Sequence, residues 1–295
     1  MKKILQPIDE THFLFQYPDG FSFGTDAVLL SGFIRCRKRS VGVELGTGTG
    51  IIPILLSIHK DFQKIYALEI QPEYAELARE NVSLNHMEDQ IEVIEGDLKE
   101  ASRLVPAPCD FVFSNPPYMK KNSGKINDTE AKCIARHEIS CDIYDVCRSA
   151  SSLLQDKGDF FCVYRMQRLC DLLDAMRQNS LEPKDLIPVI STPNGEPYLV
   201  LVRAVKGAAS DLRCRSPFGF RMPTATEQRN ANCCTKRGPS PTGGIHDQKK
   251  LFPSFPFAVS VSFFERLHNK RELPKRQHGF EKGNRRKRPA FAMHP

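Results

Sequence analysis

The 295-residue sequence predicts an α/β fold, a doubly wound and mainly parallel sheet of seven strands. Three observations predict it. Strand-length apolar runs alternate with helical patterns from about residue 41 to 205. A glycine-rich turn, Glu44-Leu-Gly46-Thr-Gly48-Thr-Gly50, joins the first of these strands to the first of these helices. The apolar run from Asp110 to Ser114 then leads straight into Asn115-Pro116-Pro117-Tyr118, where open α/β sheets bind ligands, outside the carboxyl ends of the strands.

In order, residues 41–45 read as a buried strand and 51–58 as the apolar face of a helix. Residues 65–70 form the next strand, and Pro72 opens a helix with Tyr74, Ala78 and Val82 on one face, a place where a missing N–H costs little. Residues 91–95 and 110–114 are strands three and four. Ile143, Val146, Cys147, Ala150, Leu153 and Leu154 repeat at helical spacing and stop before Gly158, a C-cap residue. Residues 160–164 are a strand, and Met166, Leu169, Cys170, Leu173 and Met176 make a helix whose Met and Cys side chains read as core. Residues 186–190 and 198–202 close the sheet as an antiparallel pair joined through Pro193-Asn194-Gly195.

The chemistry is read from the two turns. Gly46, Gly48 and Gly50 let backbone pass close to a ligand. Glu69, nineteen residues beyond Gly50, stands where an acid accepts ribose hydroxyls. The spacing is G-x-G-x-G with Glu44 before it, not the G-x-G-x-x-G of dinucleotide sites, and Asp97 after the third strand can accept from an adenine amine. Carboxylates at three strand ends suit a cationic ligand, so S-adenosylmethionine is the expected cofactor. Asp97 also suits a plain helix N-cap.

In the tetrad, Asn115 and the Pro116 carbonyl can accept from a planar amino group and so free its lone pair. Pro116 and Pro117 stiffen the loop, and Tyr118 can stack on an extruded base. The plainer reading is a strand-ending turn; its position after a buried strand argues for a site. Lys120 and Lys121 beside the tetrad, and Arg136 and His137 further on, are candidate RNA contacts, or else a solvated loop face and a helix anchor.

Charge is uneven. Residues 1–205 carry 23 Lys and Arg against 29 Asp and Glu, whereas 206–295 carry 19 against 6, so overall basicity is no argument for nucleic-acid binding. The ten cysteines form no C-x-x-C pairs, and no metal site is expected. No apolar run approaches 18 residues, so a cytoplasmic protein without a membrane span is expected, taken as a monomer.

Together these residues resemble the bacterial tRNA1(Val) (adenine-N6) methyltransferase family, Rossmann-like class I S-adenosylmethionine-dependent enzymes. The resemblance covers roughly residues 5 to 207: the lead-in Asp19 to Leu30, the glycine turn, Glu69-Ile70, Gly96-Asp97, the tetrad, Ile134 to Glu138 and Pro197 to Val202. It implies N6-methylation of the adenosine next to the anticodon (A37) of a valine tRNA. Glu44, Gly46, Gly48, Gly50, Glu69, Ile70, Asp97 and Leu98 would hold the donor, with Thr25 and Asp26 in support, and Asn115, Pro116, Pro117 and Tyr118 would form the catalytic corner. It implies two segments, 1–40 covering the donor pocket and 41–205 as the methyltransferase domain; the chain departs from the family after about Gly207, and 206–295, basic, rich in Pro and Gly and without a sustained period, reads as a disordered or frame-altered tail. The same tetrad serves glutamine-N5 methylation of release factors and guanine-N2 methylation of RNA, and a non-catalytic RNA-binding protein working through its tail is the alternative of another class.

Overall fold

The computed structural model describes residues 2–18, 24–116, 141–191 and 195–219. After a hairpin of β1 (Ile4–Pro7) and β2 (Phe13–Gln16) and the helix α1 (Thr25–Phe33), strands and helices alternate. They are β3 (Val41–Leu45), α2 (Ile51–His59), β4 (Lys64–Glu69), α3 (Pro72–Leu84), β5 (Ile91–Glu95), α4 (Ala101–Leu104) and β6 (Cys109–Ser114). Beyond residue 140 come α5 (Ile143–Leu153), β7 (Leu154–Arg165), α6 (Leu169–Gln178), β8 (Leu181–Ile190) and β9 (Pro197–Lys206), then two-residue strands β10 (Arg213–Cys214) and β11 (Phe218–Gly219).

The main sheet runs β10-β8-β9-β7-β6-β3-β4-β5, with β11 also on β8. Strands β3 to β7 pair in parallel, and β9 alone runs antiparallel between β7 and β8. The order reverses between β3 and β6, which makes the gap beyond their carboxyl ends the switch point of the sheet.

The near-continuous apolar strands follow from burial on both faces. Phe111, Phe113, Phe161 and Val163 enter the core under α1, α2 and α3. Their neighbours Val112, Phe160, Cys162 and Tyr164 enter the core under α4, α5 and α6. Gly42 lets β3 and β6 close on each other, since a Cβ there would fall 2.3 Å from the Phe111 ring.

The seven expected strands are present. Three expectations are corrected. The helix α5 ends at Leu153, not before Gly158: Leu154 is already extended, its N–H bonded to the Ala150 carbonyl, and starts a twelve-residue β7. On α6 Cys170 is exposed, and Leu172, Ala175 and Met176 carry the core contact. Within the segment 1–40 expected to cover the donor pocket, Leu29, Leu30 and Phe33 of α1 lie in the core and Phe33 meets Phe161 edge-on at 5.7 Å. Ordered backbone also continues past 206, the expected start of the tail, because residues 207–219 follow the outer edge of β8. There Arg203 joins Asp159 at 2.6 Å and Asp185 at 2.8 Å, and Arg215 closes on the other Asp185 oxygen at 2.8 Å. Pro188, which has no N–H to give, falls in the break between β10 and β11. Residues Pro193 and Asn194 of the expected β8–β9 turn, and the tail from 220, lie outside the described residues.

Candidate active site

The β3–β6 register places Glu44 opposite Phe113, so the glycine turn and Asn115 both begin two residues beyond that pair, at neighbouring strand ends. The buried Ser114 hydroxyl donates to the Leu45 carbonyl at 2.8 Å and fastens the two strand ends. Two sequence elements 69 residues apart thereby become one corner.

Backbone bonds shape the glycine turn. The Gly46 and Thr47 N–H groups both donate to the Leu68 carbonyl, at 3.0 and 2.8 Å, and Gly50 N–H closes on Thr47 at 3.1 Å. Gly46 and Gly48 have φ of 79° and 59°, and a Cβ on either would meet nothing within 4 Å. Glycine is thus required there by left-handed backbone, and the space above the turn is open. Residues that fill the other side of the turn are absent from the motif: Gly50, also left-handed, rests against Ala78 of α3.

Glu69 and Glu44 are both buried. Glu69 is built into the turn: one oxygen accepts from Gly48 N–H at 2.8 Å, the other from Gln71 N–H at 3.0 Å. Each oxygen retains a lone pair for a further donor. Glu44 accepts from the Thr47 hydroxyl through Oε2, whereas Oε1 has no partner among the described residues. Burial pushes the Glu44 carboxyl up to about 8, the Glu69 charge adds to the rise and the Thr47 hydroxyl opposes it.

Asp97 follows β5, the strand next to β4, and caps a short 3-10 turn by accepting from Lys99 N–H at 2.9 Å. Ile70, at the end of β4, exposes 37% of its surface, and Leu98 is half-buried against the second core. Thr25 sits apart from this group. It begins α1 and its hydroxyl shares a hydrogen bond with Tyr198 of β9, three strands from β3; Asp26 follows it. Asn115 and the buried Pro116 follow directly on β6. Pro117, Tyr118, Lys120, Lys121, Arg136 and His137, with Phe23 of the lead-in, lie outside the described residues.

Sequence reading missed the residues that carry β2 to this corner. Asn81, fully buried on α3, accepts from Phe15 N–H at 2.7 Å and donates to the Phe15 carbonyl at 3.0 Å. The same Nδ2 reaches the Thr49 carbonyl of the glycine turn at 2.9 Å. One turn on, Asn85 does the same for Phe13, at 3.0 and 2.8 Å. The available signal was Asn81 inside the helix pattern, since Asn is a poor helix former and earns its place by bonding something outside it; Asn85 stands at the helix C-cap.

No helix among the described residues is long and apolar enough to cross a membrane, and no cluster of metal-ligating side chains occurs among them.

A TRM5/TYW2 methyltransferase domain matches residues 35–123. A tRNA1(Val) (adenine(37)-N6)-methyltransferase of Parabacteroides distasonis is 28% identical over 179 residues, 61% of this chain and 74% of that one. The like-named protein of Porphyromonas gingivalis is 29% identical over 187 residues, 60% and 72% of the two chains. The chain is similar to the tRNA1(Val) (adenine(37)-N6)-methyltransferases. Among solved structures, a predicted O-methyltransferase of Agrobacterium tumefaciens superposes with a TM-score of 0.55 at 20% identity, covering 68% of this chain and 89% of that one. Trm5 of Methanocaldococcus jannaschii in complex with adenosine gives 0.50 at 16%, covering 70% and 56%. The fold is the Rossmann-like one of class I methyltransferases.

Proposed function

We propose that this protein transfers a methyl group from S-adenosylmethionine to N6 of an adenine in tRNA, the adenosine next to the anticodon of a valine tRNA, as the names of its relatives have it. The single observation that carries the reading is the corner itself: open left-handed glycines, two buried carboxylates and Asn115-Pro116 at adjacent ends of β3, β4 and β6.

The donor supplies an electrophilic methyl on a sulfonium; this chain binds, orients and polarises. Glu69, fixed from behind by Gly48 and Gln71, offers its remaining lone pairs to ribose hydroxyls. Ile70 presents apolar surface to the adenine ring, and Asp97 accepts from its amine. Glu44 Oε1, an orphaned acceptor in a dry site, takes up the positively charged amino end. Opposite them, Asn115 and the Pro116 carbonyl accept from the target amino group, so that its nitrogen lone pair is free to attack. Pro117 stiffens the corner and Tyr118 stacks the extruded base. Lys120, Lys121, Arg136 and His137 would meet RNA phosphate or base. No strong base is needed, because the methylated ammonium loses its proton to water; positioning and polarisation carry the acceleration.

The test is labelled methyl transfer to total tRNA followed by nucleoside mass spectrometry. N6-methyladenosine is expected, and label in protein would overturn the reading. Asn115→Ala should lower turnover by at least about 100-fold, about 2.7 kcal/mol of barrier, with donor affinity kept.

A further inference from the structure

Four side-chain polar atoms are buried without a partner among the described residues: Gln16 Nε2, Ser40 Oγ, Glu44 Oε1 and Ser57 Oγ. A serine hydroxyl is a rotor that can turn to a nearby carbonyl. A carboxylate oxygen and an amide NH2 cannot hide this way, and leaving either unpaired costs about 1–3 kcal/mol. Glu44 is accounted for by the donor site. Gln16 is not.

Gln16 is the last residue of β2 and only 1% exposed. Its strand lies against the donor turn: Asn81 Nδ2 bonds both the Phe15 carbonyl and the Thr49 carbonyl, so the backbone just before Gln16 and the backbone between Gly48 and Gly50 share one hydrogen-bonding group. Side chains alternate along a strand, so Gln16 leaves on the face of Leu14. Leu14 is fully buried in the core cluster that holds Ile51 and Ile52, the first turn of α2 directly after the glycines. Gln16 therefore enters the molecule on the side of the turn, carrying a dry NH2 group, while Glu44 brings a dry oxygen from β3.

We propose that Gln16 is a donor-binding residue whose Nε2 donates to the carboxylate of the methionyl end of S-adenosylmethionine, complementing Glu44 Oε1 on the amino group of that same end. The two orphans have the opposite hydrogen-bonding sense, as a zwitterion requires: one donor for the anionic group and one acceptor for the cationic group. The inference rests on the donor-binding reading above and adds to it which part of the donor β2 recognises.

Two ligands that differ in the methionyl end alone test it. S-adenosylhomocysteine carries the amino-acid group; 5′-methylthioadenosine keeps the nucleoside and the sulfur and lacks it. In calorimetric titrations of the full chain, Gln16→Met should weaken S-adenosylhomocysteine by about tenfold or more and leave 5′-methylthioadenosine within about twofold of wild type. Gln16→Glu, which brings a like charge to the carboxylate, should weaken the first ligand further and again spare the second. Equal loss on both ligands, or no loss on either, overturns the proposal. Should the Met variant fail to fold, the Glu variant decides by the same criterion. Wild-type protein that binds neither ligand would instead remove the donor site itself, and the proposal with it.

Discussion

At the outer edge of the sheet and at the corner beyond β3, β4 and β6, carboxylates are buried to a similar degree and treated in opposite ways. Asp185 has both oxygens taken, by Arg203 and Arg215, and Arg203 reaches on to Asp159. Burial alone would raise its carboxyl, yet the two guanidiniums hold it below the ordinary value. Glu44 has one hydroxyl on one oxygen and, among the described residues, nothing on the other, and burial pushes its carboxyl up to about 8. A buried charge that is fully paired fastens structure; one left half-paired is strain that a ligand can relieve. The same chain thus distinguishes a buried acid that is fully paired from one that keeps an acceptor to spare, and the second is the one the proposed donor site uses.

Exchanging each acid for its amide breaks or sharpens that contrast, and the largest effect belongs to the outer edge. Asp185→Asn leaves Arg203 and Arg215 with a neutral partner in a buried place and should cost about 3 kcal/mol in urea unfolding at neutral pH. The sign with pH follows from the depressed carboxyl: its contribution is present above the unfolded value near 3.8 and lost as pH falls through the folded value. The gap between variant and wild type should therefore be constant from about pH 5 upward and shrink in acid. A variant as stable as wild type at pH 7 would show that the arginines, not the carboxylate, hold this edge.

Glu44→Gln should behave in the opposite sense. Burial pushes the folded carboxyl up to about 8 against an ordinary value of 4.5, so between these limits the folded state binds the extra proton and wild-type stability falls as pH rises. Below pH 5 the variant should match wild type within about 1 kcal/mol. From pH 6 to 8 it should gain on wild type by up to about 1.4 kcal/mol per pH unit, the linkage slope for one proton. Melting temperatures of the two proteins across this range check it, and parallel curves would place the Glu44 titration outside the window. A cationic ligand at Oε1 favours the ionised form, so S-adenosylmethionine should bind more tightly as pH rises over the same interval, and Glu44→Gln should flatten that dependence.

The difference between the two regions also explains what was legible in the sequence. Strands β3, β4, β5 and β6 were read to within a residue because each carries a short apolar run, and β3, β5 and β6 stop at a glycine or an Asn-Pro, which is local information. The acids Glu44, Glu69 and Asp97 were found for the same reason, since each is the last residue or next to the last of its strand or turn. What failed was non-local. Leu154 can continue a helix or start a strand, and only pairing to Cys109 on β6 settles it. The anchoring of 207–219 depends on Arg215 meeting an aspartate 30 residues earlier, and no periodicity shows that. Gln16 and Asn81 lie 65 positions apart and matter through the turn between them, so neither stands out alone.

The smallest effect concerns the latch between Arg215 and Asp185, and it separates pairing from burial. Arg215 keeps 46% of its side chain exposed, whereas Arg203 is half as exposed and retains Asp159 as a second partner. Arg215→Met should accordingly cost about 0.5–1 kcal/mol of global stability, because Arg203 still neutralises Asp185 and water reaches the vacated oxygen. The local consequence should be larger than the global one. Residues 213–219 hold β8 through four residue pairings, Asp185 and Leu186 to β10 and Val189 and Ile190 to β11, with the ion pair at Arg215 between the two short strands. Without it, amide hydrogen exchange should accelerate from Arg213 to Gly219 and in the facing stretch of β8, while β3 and β6 keep their protection. Exchange that accelerates equally at the glycine turn would mean that the outer edge and the site are coupled, and that the fully paired acid serves both.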